Sequence, residues 1–244
     1  MSERIVLSVS GADRVEFLQG LITNDVTRAT DGLIYAALLT PQGKFIADFF
    51  VIGQDDRFLI DVAQSHAAAL AQRLTMYRLR ADVQIEQTDL VVSRGTGDMP
   101  PGALADPRHP ALGWRHYGDS DIGDSTDWDA LRVAHLIPET GIELTPDTYI
   151  LEAGFEALHG VDFRKGCYVG QELVARMKHK TELRKGLARV RVEGKACTGD
   201  MISADGKEVG VLHTISGDQA IAYLRFDRAT GPMQAGDATV TMAD

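Results

Sequence analysis

Leu33-Ile34-Tyr35-Ala36-Ala37-Leu38-Leu39 and Lys44-Phe45-Ile46-Ala47-Asp48-Phe49-Phe50-Val51-Ile52 flank the four-residue turn signal Thr40-Pro41-Gln42-Gly43. Proline fixes φ at a corner of the turn and glycine accepts backbone angles closed to other residues, so the stretch predicts a β-hairpin. Asp55-Asp56 turns the chain into a third strand over Phe58 to Val62. Ser65 then caps an alanine-rich helix running to about Met76, with Ala68, Leu70, Leu74 and Tyr77 as candidate buried positions. Ahead of the hairpin, a strand near Ile5 to Val9 leads into Ser10-Gly11-Ala12-Asp13, a capping-box-like start to a short helix that Gly20 stops. Helices mixed with hairpins in this way predict an α+β fold, not a doubly wound parallel sheet.

Strands over Val83 to Gln87 and Leu90 to Ser93 are followed by a segment from Gly95 to Gly113 that is rich in Gly and Pro and reads as connecting loop. A capped helix is expected from Ser125 or Thr126 through Leu136, carrying Trp128. After Lys185 the texture changes to short alternating runs punctuated by glycines, which predicts a small all-β barrel or sandwich with Asp205-Gly206 as a hairpin turn. The expected organisation is a region over 1–184, made of two α+β subdomains joined by a loop over 95–125, and a C-terminal β-barrel over 185–244.

With 244 residues and 44% hydrophobic content, the chain buries a substantial core. It holds no apolar run approaching the ~18 residues of a membrane span and no secretion signal, so a cytoplasmic location and no membrane partner are expected. A formal net charge of −10 argues against direct nucleic-acid binding. Two cysteines, Cys167 and Cys197, suggest neither a disulfide framework nor a zinc site. The seven histidines are dispersed, without ligand spacing. Charge is uneven: nine of the 25 basic residues fall between Arg164 and Arg191, opposed there only by Glu172 and Glu182. Such a run suits an anionic ligand or acidic partner as well as it suits a solvated face.

Lys165-Gly166-Cys167-Tyr168-Val169-Gly170-Gln171-Glu172 is the chemical address of the chain. Good helix formers from Gly170 onward, with Leu173, Val174 and Met177 on one face, predict a helix from about Val169 to His179. Cys167 then lies just before the first turn, where unpaired N–H groups and the nearby Lys165 stabilise a thiolate. Without more, a small buried cysteine between turn glycines explains the same letters.

The Lys-Gly-Cys-Tyr-x-Gly-Gln-Glu pattern resembles the signature of the YgfZ family, folate-binding proteins of iron–sulfur cluster maturation related to the T-protein (aminomethyltransferase) of the glycine cleavage system. Val9-Ser10-Gly11-Ala12-Asp13, Phe17 to Val26 and Leu39 to Asp48 are similar to the opening of both families, while the Cys167 motif marks the YgfZ branch. Lys180-Thr181-Glu182 departs from it, standing where family members often carry a glycine.

The resemblance implies units arranged as a ring around a central folate-sized pocket, tetrahydrofolate as ligand, and iron–sulfur client or assembly proteins as partners. It assigns the thiol chemistry to Cys167 and charge tuning to Lys165. Gly166 and Gly170 would allow close approach of the backbone to a ligand or partner, Tyr168, Gln171 and Glu172 would shape the site, and Trp128 would stack on the pterin. The carboxylate that a T-protein uses on folate is expected near position 69, yet residues 67 to 69 are all alanine, which favours a helper over an enzyme. A single thiol does not hold a cluster in the four-thiolate manner, so no stable metal or cluster is expected. A folate-dependent one-carbon transferase and a non-catalytic folate-binding module are the alternative readings.

Overall fold

The computed structural model describes residues 3–179 and 182–243. Lys180 and Thr181, where the sequence departs from the family pattern, lie outside them. Two compact units divide the chain: one runs up to Thr126 and takes in Phe155–Ala175, the other consists of Asp127–Gly154 and the chain from Arg176 onward.

The first unit is built on strands β1 (Arg4–Ser10), β2 (Ile34–Leu39), β3 (Phe45–Gly53), β4 (Arg57–Ala63) and β5 (Gln84–Gln87). They form an antiparallel sheet in the order β2-β3-β4-β1-β5. The hairpin expected at Thr40 to Gly43 is present, its register running from Ile34 opposite Val51 to Leu39 opposite Phe45, and Gly43 takes φ 72°. Alternation along β4 sends Phe58, Ile60 and Val62 into the apolar core, where Leu18 from helix α1 (Arg14–Gln19) and Leu70 and Leu74 from helix α2 (Gln64–Arg78) meet them.

Two caps differ from expectation. Ser65 lies inside α2, which begins at Gln64 without a side-chain cap, and the buried alanine is Ala67, while Ala68 and Ala69 face solvent. Asp13 is the N-cap residue of α1, but its carboxylate accepts from the backbone N–H of Asp82 (2.7 Å), not from the helix.

The segment expected to be a loop over 95–125 carries order of its own. Strands β6 (Val91–Gly95), β7 (Leu104–Ala105) and β8 (Trp114–Gly118) form a three-stranded sheet in the order β6-β8-β7. Glycine and proline mark its turns truly, but the strands between them are short. Buried charge fixes the segment. Asp61 of β4 pairs with Arg4 and with Arg115 (2.9 Å), Arg115 pairs with Asp106 (3.0 Å), and Asp106 pairs with Arg108 (2.8 Å). Asp61, Arg115, Asp106 and Arg108 are all buried, so each charge has an opposite neighbour in place of water. The Arg115 guanidinium also lies 3.7 Å from the Phe50 ring centroid.

The second unit contains helix α3 (Trp128–His135) and strands β9 (Lys185–Glu193), β10 (Met201–Ala204), β11 (Lys207–Ser216), β12 (Gln219–Arg225), β13 (Met233–Ala235) and β14 (Ala238–Met242), which close as a six-stranded barrel. Asp205 and Gly206 connect β10 to β11 with φ values of 50° and 72°, both positive as a type I′ hairpin turn requires. Asp127, not Ser125 or Thr126, caps α3 by accepting from Ala130 N–H (3.0 Å). Position 185 marks the first barrel strand, but the compact unit is larger than 185–244. Arg132 of α3 bonds Glu143 (2.9 Å) and Thr214 (2.6 Å), tying 127–154 to the barrel.

Candidate functional site

Cys167 is exposed and unpaired in a stretch without regular secondary structure that precedes helix α4 (Gln171–His179). The helix begins two residues later than its composition suggests, because Gly170 takes φ 85°, outside the helical range, which leaves Gln171 as the first helical residue. Its side-chain oxygen accepts from Tyr168 N–H (3.1 Å) and its own N–H donates to the Tyr168 carbonyl (3.3 Å).

Gly170 connects this start to the hairpin. It has φ 85°, and a Cβ there would stand 2.6 Å from the Thr40 carbonyl oxygen and 3.2 Å from Gly43 Cα. Gly43 in turn faces Leu173 so closely that its own Cβ would lie 3.0 Å from that side chain. The hairpin turn is therefore the seat of the motif, and only glycine fits on either side. A Cβ at Gly166 would meet nothing within 4 Å, so this glycine stands in open space on the loop.

The segment before Cys167 is stitched to the end of α1. Thr23 Oγ1 donates to the Gly160 carbonyl (2.7 Å), Asn24 Nδ2 donates to the His159 and Tyr35 carbonyls (2.8 Å each), and Asp162 N–H donates to the Thr23 carbonyl (3.0 Å). Lys165 Nζ donates to the carbonyls of Gln19 (2.8 Å), Ile22 (2.5 Å) and Asn24 (3.1 Å). Burial pulls the Lys165 ammonium down to about 8, against Asp25 and Asp162, which favour its charge. Tyr168 packs its ring 5.0 Å from that ammonium, and burial raises its hydroxyl to about 12. The side-chain hydrogen bonds of Lys165 are thus to the backbone.

A cleft of about 460 Å³ opens here, lined by Ala12, Asp13, Val15, Glu16, Gln19 and Gly20 on one side and Gly166 and Cys167 on the other. Of the motif residues, Glu172 faces solvent on α4. Trp128, half-buried on α3, belongs to the second unit and does not line this cleft. Cys197 is also exposed, in the turn ahead of β10, where its N–H donates to Asp200 (2.7 Å). Among the described residues no group of three or more His, Cys, Asp or Glu is placed to hold a metal ion. Sequence reasoning missed Gln19, Thr23 and Asn24 as supports of the thiol loop, although they lie within the stretch that carried the resemblance.

The second unit has a larger cavity, about 700 Å³, lined by Glu152, Met177, His179, Glu182, Leu183, Arg184, Lys185 and Arg225. Glu152 accepts from the Tyr223 hydroxyl (2.6 Å), whose proton is held more tightly by burial and by that carboxylate.

Residues 184–244 match the CAF17 C-terminal beta-barrel domain. An iron–sulfur cluster assembly factor IBA57 homolog, mitochondrial, of Mycosarcoma maydis is 32% identical over 218 residues, covering 75% of this chain and 54% of the relative. The chain is similar to the CAF17/IBA57 proteins. The mitochondrial IBA57 assembly factors of Mus musculus and Homo sapiens are 28% and 29% identical, each covering 94% of this chain and 78% of the relative. The chain thus spans about half the length of the fungal relative and more of the mammalian ones. The crystal structure of the glycine cleavage system aminomethyltransferase T of Bartonella henselae superposes with a TM-score of 0.79 at 14% identity, covering all of this chain and 83% of that one. The fold is therefore that of the aminomethyltransferases, α+β with a closed C-terminal barrel.

These similarities bear out one expectation at a coarser level and correct another. The relatives carry the name IBA57, so the resemblance holds at the level of the wider CAF17/IBA57 group. Their names also place them in mitochondria, which overturns the cytoplasmic location expected from the lack of an apolar span or signal. Such a lack carries no information about compartment.

Proposed function

We propose that this protein, a YgfZ-type member of the wider group, helps assemble or repair iron–sulfur clusters in client enzymes. The observation that carries the reading is an exposed cysteine on a loop fastened at both ends, in a chain similar to proteins named as iron–sulfur cluster assembly factors. A free thiolate is a ligand for iron, and one thiolate leaves the other positions of a cluster to a partner protein or a second molecule. The cluster is cargo, held in passing.

Tetrahydrofolate is the proposed small-molecule ligand. The cavity of about 700 Å³ is of the size that takes such a molecule, and Arg184 and Arg225 suit its carboxylates while Met177 and Leu183 offer apolar contact. Trp128 does not line that cavity, so the proposed stacking contact finds no support there. The exposed Ala69 supplies no proton acceptor, which favours a helper over a one-carbon transferase.

Purified protein tests both parts. Calorimetric titration with tetrahydrofolate is expected to show binding that weakens in Arg184→Glu, and absence of heat with the wild type sinks the folate part. Activation of an apo client enzyme from a supplied cluster carrier is expected to need wild-type protein. Equal activation by Cys167→Ala sinks the thiol part.

A further inference from the structure

We infer that Lys165 is a positioning residue, a clamp that fixes the Cys167 loop against the end of α1. This rests on the reading of Cys167 as the functional thiol. Three backbone carbonyls, those of Gln19, Ile22 and Asn24, converge on one ammonium at 2.5 to 3.1 Å, and an ammonium has three hydrogens to give. Gln19 ends α1, so its carbonyl belongs to the set that a helix leaves without an internal partner. Lys165 comes from 146 residues along the chain to meet it. The same Gln19 lines the cleft that Cys167 faces, so the clamp fixes the distance between the two walls.

The other anchors lie to either side. Thr23 and Asn24 hold residues 159–162, and Gly170 rests on the hairpin turn. Two positions before Cys167, Lys165 ties the loop by side-chain hydrogen bonds to residues 19–24, whereas the nearer Tyr168 N–H bond is local to the start of α4. An electrostatic role would work with any cation in the neighbourhood. A clamp needs a point donor at the end of a four-carbon stem, which arginine's planar fork and glutamine's shorter arm do not reproduce.

A nitroxide label on Cys167, with Cys197 replaced by Ser, reads the loop directly. The electron paramagnetic resonance line is recorded well below the unfolding transition of each protein, so loss of global stability does not move it. The clamp predicts a broad, restricted line in the lysine-bearing protein and a narrowed, mobile line in Lys165→Met. Lys165→Gln serves in the same way where the methionine variant does not fold. An unchanged line in a folded Lys165→Met or Lys165→Gln overturns the proposal.

A parallel rescue in cells lacking the protein separates this inference from the reading it rests on. A mobile line together with loss of rescue supports both. A mobile line with full rescue overturns the positioning role, since the thiol then works without the clamp, while failure of Cys167→Ala to lose rescue in the same cells is what sinks the reading of Cys167 itself.

Discussion

Cys167 and Gly170 show what single residues contribute. The thiol is exposed, so Cys167→Ala is expected to leave stability within about 0.5 kcal/mol of the parent in urea unfolding. A larger loss would assign the cysteine a packing role. Gly170→Ala behaves oppositely. Positive φ and a Cβ 2.6 Å from the Thr40 oxygen cost of order 1–3 kcal/mol, to be read from the same unfolding curves, with the hairpin turn and α4 forced apart. Both positions were legible in the octapeptide. The hydrogen bonds of Lys165 were not, because its partners are carbonyls of residues 19 to 24, and backbone acceptors leave no letter in a sequence.

Elements depend on how their buried charges are matched. Arg115 of β8 holds Asp61 of β4 and Asp106 together, and Arg115→Met is expected to cost roughly 3–5 kcal/mol because it leaves buried carboxylates with too little positive charge. Unfolding of the variant in denaturant checks this, and a cost near zero would show that water or Arg4 and Arg108 compensate.

The same cluster sets the acid limit. Burial alone would raise the Asp61 and Asp106 carboxyls, but Arg4 and Arg115 outweigh it at Asp61, and Arg108 and Arg115 outweigh it at Asp106, holding both below the ordinary value of 3.8. Folded-state values below the unfolded ones mean that the stabilisation is present above about pH 4 and drains away as pH falls below it. Melting temperature against pH is therefore expected to drop below pH 4, and in Arg115→Met the drop should begin at higher pH. A profile flat to pH 2.5 would remove the cluster from the stability account. These charges hid from sequence reasoning inside a Gly- and Pro-rich segment that read as a loop. The period-2 pattern of β7 covers only two residues, too few to register.

Across the molecule, α+β architecture and the C-terminal barrel were legible because hairpin turns and alternating strands are local signals. The division into units was less so. Asp127–Gly154 joins the barrel unit through Arg132, Glu143 and Thr214, contacts up to 82 residues apart that no local pattern announces. Location was misjudged for a different reason, since compartment is not a property of the folded surface. The central claim concerns the thiol, and the activity of cluster-dependent enzymes in cells lacking this protein tests it most directly. Wild-type protein is expected to restore that activity, and Cys167→Ala at matched protein level is expected not to. Equal restoration by the two would contradict the claim and leave the cysteine a surface residue.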